Sequence, residues 1–150
     1  MKVLILVLAV VLSTAICWAH DEGHGPRITD APIYGGIVAP VIRAEHVKQG
    51  RKAPLVYKGE LLRSEDGTFR VYVYTPNMTP ISLSKFEKKA KAIVETKAKS
   101  RWEKQEVTLT LSGNTFIGKL PKGPIRKPYN LDVFITENGK AFLVAFDNLD

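Results

Sequence analysis

The sequence predicts an all-β protein: a small antiparallel β-sandwich of about seven to eight strands, immunoglobulin-like, with at most one short helical turn near residues 84–88. Three observations carry this expectation. Apolar and polar residues alternate over short runs, as in Phe69, Val71 and Val73 against Arg70, Tyr72 and Tyr74. Turn-forming residues separate the runs, among them Ser64-Glu65-Asp66-Gly67, Ser112-Gly113-Asn114 and Asn138-Gly139. With 45% apolar residues in 150, the chain can fill one core, and its single cysteine leaves no intramolecular disulfide framework to replace that core.

Before the β pattern begins, Met1-Lys2 leads into ten uninterrupted apolar residues, Val3–Leu12, and then Cys17-Trp18-Ala19. A basic start, a short apolar run and a small-residue site describe a secretory signal peptide at residues 1–19, cut after Ala19. The apolar run meets His20-Asp21-Glu22 too early for a membrane span, which needs roughly 20 such residues. Lipidation at Cys17 is disfavoured because Ile16, not a small residue, precedes it. The expected location is therefore periplasmic or secreted, with a mature chain of 131 residues that has no cysteine and a formal charge of +6. Residues 20–32, HDEGHGPRITDAP, read as a flexible polar leader, and 33–150 as the β domain.

The strands are expected at Gly36–Val41, Leu55–Arg63, Thr68–Thr75, Lys89–Lys97, Glu106–Leu111, Thr115–Lys119, Tyr129–Glu137 and Lys140–Phe146. Asn138-Gly139 suits a type I′ turn, since both residues tolerate positive φ. The stretch Ser84–Lys99 is ambiguous. Phe86, Ala90, Ile93, Val94 and Lys97 fall at helical spacing behind a serine cap, while Ala90, Ala92, Val94 and Thr96 alternate as a strand does. A single helical turn over Ser84–Lys88 followed by a strand reconciles the two.

Catalytic chemistry is thin. The mature chain has no thiol, no serine in a Gly-x-Ser-x-Gly elbow, no phosphate loop and no dinucleotide fingerprint, so a binding or accessory protein is expected, not an enzyme. All three histidines, His20, His24 and His46, precede residue 47. Cleavage after Ala19 makes His20 the N-terminal residue, whose amine and ring nitrogen can chelate one metal. His24 offers a second imidazole and Asp21 or Glu22 an oxygen, a donor set suited to copper or zinc as Cu(II) or Zn(II). His20, His24 and Asp21 are thus the candidate metal ligands, with His46 beside Glu45 as a loop residue.

Charge supplies the competing reading. Lys85–Lys104 carries +5 and Lys119–Pro128 +4, leaving the rest of the mature chain net acidic at −3. Lys88, Lys89, Lys91, Lys97, Lys99 and Arg101 are the candidate contacts for an anionic envelope surface or an acidic partner. Nucleic acid is not expected, since export removes the usual partner and the aromatics form no stacking series with the cations.

Tyr34-Gly35-Gly36-Ile37-Val38, Glu65-Asp66-Gly67 leading into Phe69–Tyr74, Asn114–Leu120 and the closing Glu137–Lys140 turn together resemble a small secreted β-sandwich module. That module occurs alone in periplasmic proteins and near the N-terminus of some heavy-metal efflux adaptor subunits, behind histidine-rich leaders. The resemblance spans roughly Ile33–Phe146 and implies a periplasmic role in metal homeostasis, with an efflux component as a partner. Tyr34 stands where the module often has a histidine, and no coiled-coil hairpin or lipoyl-like segment of an adaptor is present.

Overall fold

The computed structural model describes residues 24–122 and 125–150. The expected signal peptide, Cys17, His20 and Asp21 lie outside the described residues. Eight strands form among the described residues: β1 Ile37–Arg43, β2 Tyr57–Arg63, β3 Thr68–Tyr74, β4 Lys89–Ala98, β5 Arg101–Ser112, β6 Thr115–Lys119, β7 Tyr129–Glu137 and β8 Lys140–Leu149. Every pairing is antiparallel.

Their spatial order, β1-β2-β3-β6-β5-β4-β7-β8, closes on itself as a barrel, which corrects the expected sandwich. Alternating apolar residues are needed equally by a sandwich, which has two inner faces, and by a barrel, which has one continuous interior. What distinguishes them is closure. Here β1 pairs with β8 through Val41↔Val144, Ile42↔Leu143 and Arg43↔Phe142, joining residues about a hundred positions apart. No local pattern announces such a contact.

Two long connections cross the barrel ends, β3 to β4 over one and β6 to β7 over the other. At the first end, Leu83 and Phe86 are buried and plug the interior. The expected helical turn over residues 84–88 is absent. Phe86 instead forms an antiparallel bridge with Glu137, and the Glu87 N–H donates to the Thr136 carbonyl at 2.9 Å. Burial of the Phe86 ring against Phe116 and extension of the β7 ladder win over the serine cap. The short helix lies elsewhere, as a 3-10 segment over Ala44–Lys52 broken at Gly50.

Inside, Phe69, Val71, Val73, Leu109, Phe116, Leu131, Val133, Val144 and Phe146 form the core. Space is tight where strands carry large rings. A Cβ on Gly118 would come 2.6 Å from the Phe69 ring, so glycine lets that ring occupy the centre. Outside, Ile42, Ala53, Leu143 and Ala145 make a second apolar cluster with Val47 and Phe134, and the 3-10 helix covers it. Among the described residues no helix is long and apolar enough to cross a membrane.

The N-terminal approach to β1 is part of this covering layer. Gly25 is buried and its N–H donates to the Gly50 carbonyl at 3.1 Å. Within the leader expected over residues 20–32, Gly25 is tied to Gly50 and Asp30 to Lys58, while Arg27 and residues 29–32 are exposed.

Candidate functional site

On the outer faces of β2 and β3, where polar residues should meet water, two charged side chains are enclosed. Glu60 is 0% exposed and Lys58 6%. The segment 30–36 crosses above them as a strap. Lys58 Nζ meets Asp30 Oδ2 at 2.5 Å. The Glu60 carboxylate accepts the backbone N–H groups of Ile33 (3.0 Å), Tyr34 (2.8 Å) and Gly36 (2.9 Å), and the Tyr74 hydroxyl at 2.9 Å. Burial alone would push this carboxyl up; the four donors outweigh it and hold its pKa below the usual glutamate value. Tyr74 shifts in the opposite direction, above the ordinary tyrosine range, through burial and its bond to Glu60.

The paired glycines of the sequence have their purpose here. Gly35 sits at φ +76, and a Cβ on Gly36 would overlap the Leu61 carbonyl oxygen. Side chains would hold the strap away from the carboxylate that anchors it. Tyr34 then stacks on Tyr72 with ring centroids 4.4 Å apart, which ties the strap to the outer face of β3.

A second enclosed acid lies on the neighbouring wall. Asp132 of β7 stands on the outer face opposite Ile93 and Ala145, and no hydrogen bond to its carboxylate is made by any described residue. Burial pushes its pKa up to about 6; His24 draws it down, Glu95 and Asp147 raise it further, and Lys104 opposes them. Asp147 of β8, although exposed at its rim, moves the same way for the same first reason, with His24 again opposing. The charge of His24 therefore acts on an acidic corner made by β4, β7 and β8. A depression of about 360 Å³ opens there, lined by His24, Arg27, Pro40, Arg51 and Asp147.

Of the candidate metal ligands, only His24 is among the described residues, and the fold brings it to Asp132 and Asp147, which sequence reasoning did not single out. Asp132 sits between Leu131 and Val133 like any solvent-side strand residue, so nothing local marked it. Among the described residues no group of three or more His, Cys, Asp or Glu is arranged to hold a metal. His46 lies in the 3-10 helix, 3.8 Å from Glu45.

The six cations Lys88, Lys89, Lys91, Lys97, Lys99 and Arg101 are all exposed along β4 and its turn into β5. They form a stripe, not a cluster, because Lys89, Lys91 and Lys97 share the outer face of one strand over about 26 Å. Acids interrupt it: Lys91 lies 3.6 Å from Glu106, and Lys104 lies 2.5 Å from Glu95.

At the barrel end crossed by the β6–β7 connection, a wider depression of about 650 Å³ is bordered by Arg63, Lys119, Lys127 and Asp66. Two of its cations have partners. Arg63 donates to the Asp150 carbonyl at 2.6 Å and Lys119 lies 3.8 Å from Asp66. Compared with protein-family models, with curated proteins and with solved structures, the chain finds no match.

Proposed function

We propose that this is an exported, periplasmic binding or accessory protein without catalytic activity, which holds Cu(II) or Zn(II) where its N-terminal segment meets the barrel and so serves metal homeostasis. The observation that supports the reading is His24, which lines one depression together with Asp147 and whose charge acts on both Asp132 and Asp147. An imidazole facing carboxylates that have few other partners is a donor set for a borderline divalent ion. His20 and Asp21 would complete it. Four residues of extended chain reach at most about 14 Å, the span available for the His20 amine and ring to join His24. Binding a cation there also offsets the cost of enclosing Asp132, which otherwise titrates near 6.

Calorimetry of the chain beginning at His20 tests this directly. Cu(II) or Zn(II) should bind at a single site, His24→Ala and Asp132→Asn should each weaken it about tenfold, and affinity should fall as pH drops below 6, where Asp132 takes up a proton. Identical titration curves for the wild type and both variants would remove the proposal. Point variants are the right tool, because a chain starting at Ile33 would also lose the Asp30–Lys58 pair and the Gly25 contact.

The exposed lysine stripe favours a second reading, in which the outer face of β4 meets an anionic envelope surface. Cosedimentation with anionic vesicles should then weaken as salt rises. Binding that persists with Lys88, Lys89, Lys91 and Lys97 all changed to glutamate excludes it.

A further inference from the structure

One edge of β5 is bonded to β4 from Arg101 to Thr110, whereas the other meets β6 only at Thr110, Leu111 and Ser112. The Leu111 N–H donates to the Lys88 carbonyl at 2.7 Å, which sets the alternation along the strand. Odd-numbered residues of β5 turn their backbone groups toward β4, and even-numbered residues turn theirs away. Thr110 and Ser112 thereby reach β6. The N–H and C=O groups of Lys104, Glu106 and Thr108 meet no strand among the described residues. The side chains of Glu103–Glu106 are exposed, and among the described residues no strand bonds the edge of the hairpin there. Neither proline nor a bulge interrupts it; what it carries is charge, Glu103, Lys104 and Glu106, and charge keeps such an edge single unless the partner matches it.

We propose that two copies of the chain pair antiparallel through this edge, about a two-fold axis at Gln105. Backbone parity and charge select the register together. Hydrogen bonds form only when even-numbered residues face even-numbered residues, so allowed registers move the axis one residue at a time. With the axis at Gln105, Lys104 of each copy faces Glu106 of the other, and both pairs exchange two backbone hydrogen bonds. An axis at Lys104 or at Glu106 sets that residue against its own copy, like charge on like. The outer face completes the match. Glu95 and Lys104, already 2.5 Å apart, continue into Glu106 and Lys91 of the partner subunit, giving four charges of alternating sign, repeated by symmetry. A uniformly acidic or basic peptide laid on the same edge would gain from half of these charges and be repelled by the rest. The self-complementary occupant is therefore a second copy.

Sedimentation equilibrium of the mature protein should show a monomer–dimer equilibrium that weakens with salt. Lys104→Glu and Glu106→Lys should each raise the dissociation constant at least about tenfold, and the two together should restore it to within about threefold. Glu106→Pro removes an outward N–H that β4 does not use and that faces Lys104 of the other copy, so it should abolish the dimer while far-UV circular dichroism stays that of the folded chain. A protein that is monomeric up to about 0.5 mM, a charge swap that fails to restore association, or self-association indifferent to all three variants overturns the proposal.

Discussion

Glu60 and Asp132 occupy equivalent situations and behave in opposite ways. Each is a carboxylate on the outer wall of the barrel near chain that approaches from the N-terminus, Glu60 fully and Asp132 partly buried. Glu60 has four donors aimed at it and ionises more readily than a free glutamate. Asp132 has burial and neighbouring acids, and its pKa rises to about 6. Donor supply, not enclosure, decides which carboxylate becomes an anchor and which stays poised to take a proton or a cation.

The comparison can be broken most severely at Glu60. Glu60→Ala leaves three strap N–H groups and the Tyr74 hydroxyl without their acceptor, and should cost about 3–5 kcal/mol in urea unfolding. Glu60→Gln, which keeps an acceptor oxygen but loses the charge, should cost less. If both variants unfold at the wild-type midpoint, the strap is not anchored there.

Acid titration separates the two groups by sign. The folded pKa of Asp132 lies above its unfolded value of 3.8, so the stability that this group contributes is fully present below about pH 4 and is lost as pH rises through about 6. The loss is on the order of 3 kcal/mol. Glu60 works the other way: its folded pKa lies below 4.5, so its contribution is present above that pH and is lost on further acidification. Asp132→Asn should therefore stabilise the metal-free protein at pH 7 and flatten the slope between pH 4 and 6, measured by denaturant midpoints across that range.

Asp30→Asn is expected to be milder. It strips the partner from Lys58, whose side chain is nearly buried, while Asp30 is a third exposed; about 1 kcal/mol is expected from thermal unfolding. Smallest of all in stability should be His24→Ala, within about 0.5 kcal/mol. Its signature lies elsewhere. Removing the ring should move the carboxyl titrations of Asp132 and Asp147 upward in NMR, and an unmoved titration would separate His24 from the acidic corner.

Much of the fold was legible residue by residue. β6 and β7 have the expected limits, and Asn138-Gly139 turns with φ of 48 and 75 at its two residues, as a type I′ turn requires. The strand over Lys89–Ala98 was legible from alternation even beside a competing helical spacing. Closure was not, because three-residue pairings such as Val41–Arg43 with Phe142–Val144 join the two ends of the chain and leave no periodic trace. The 3-10 helix was missed because its cover for Ile42 and Leu143 depends on that same closure. For the site, the histidine bias at the front of the chain pointed to His24. Glu60 and Asp132 were invisible, because a strand residue on the polar face reads as solvated until something is known to lie above it.

The hairpin of β4 and β5 runs in register over ten positions and turns through Lys99 and Ser100, while β6 is tied to β5 at three positions and to β3 at four. This imbalance sets an order of events. The hairpin closes a loop of a few residues and should form early in folding, whereas the β6 seam must wait for strands distant in sequence to arrive. The same seam should be where the finished barrel breathes, so backbone amides of β6 should exchange with solvent ahead of those in β4 and β7.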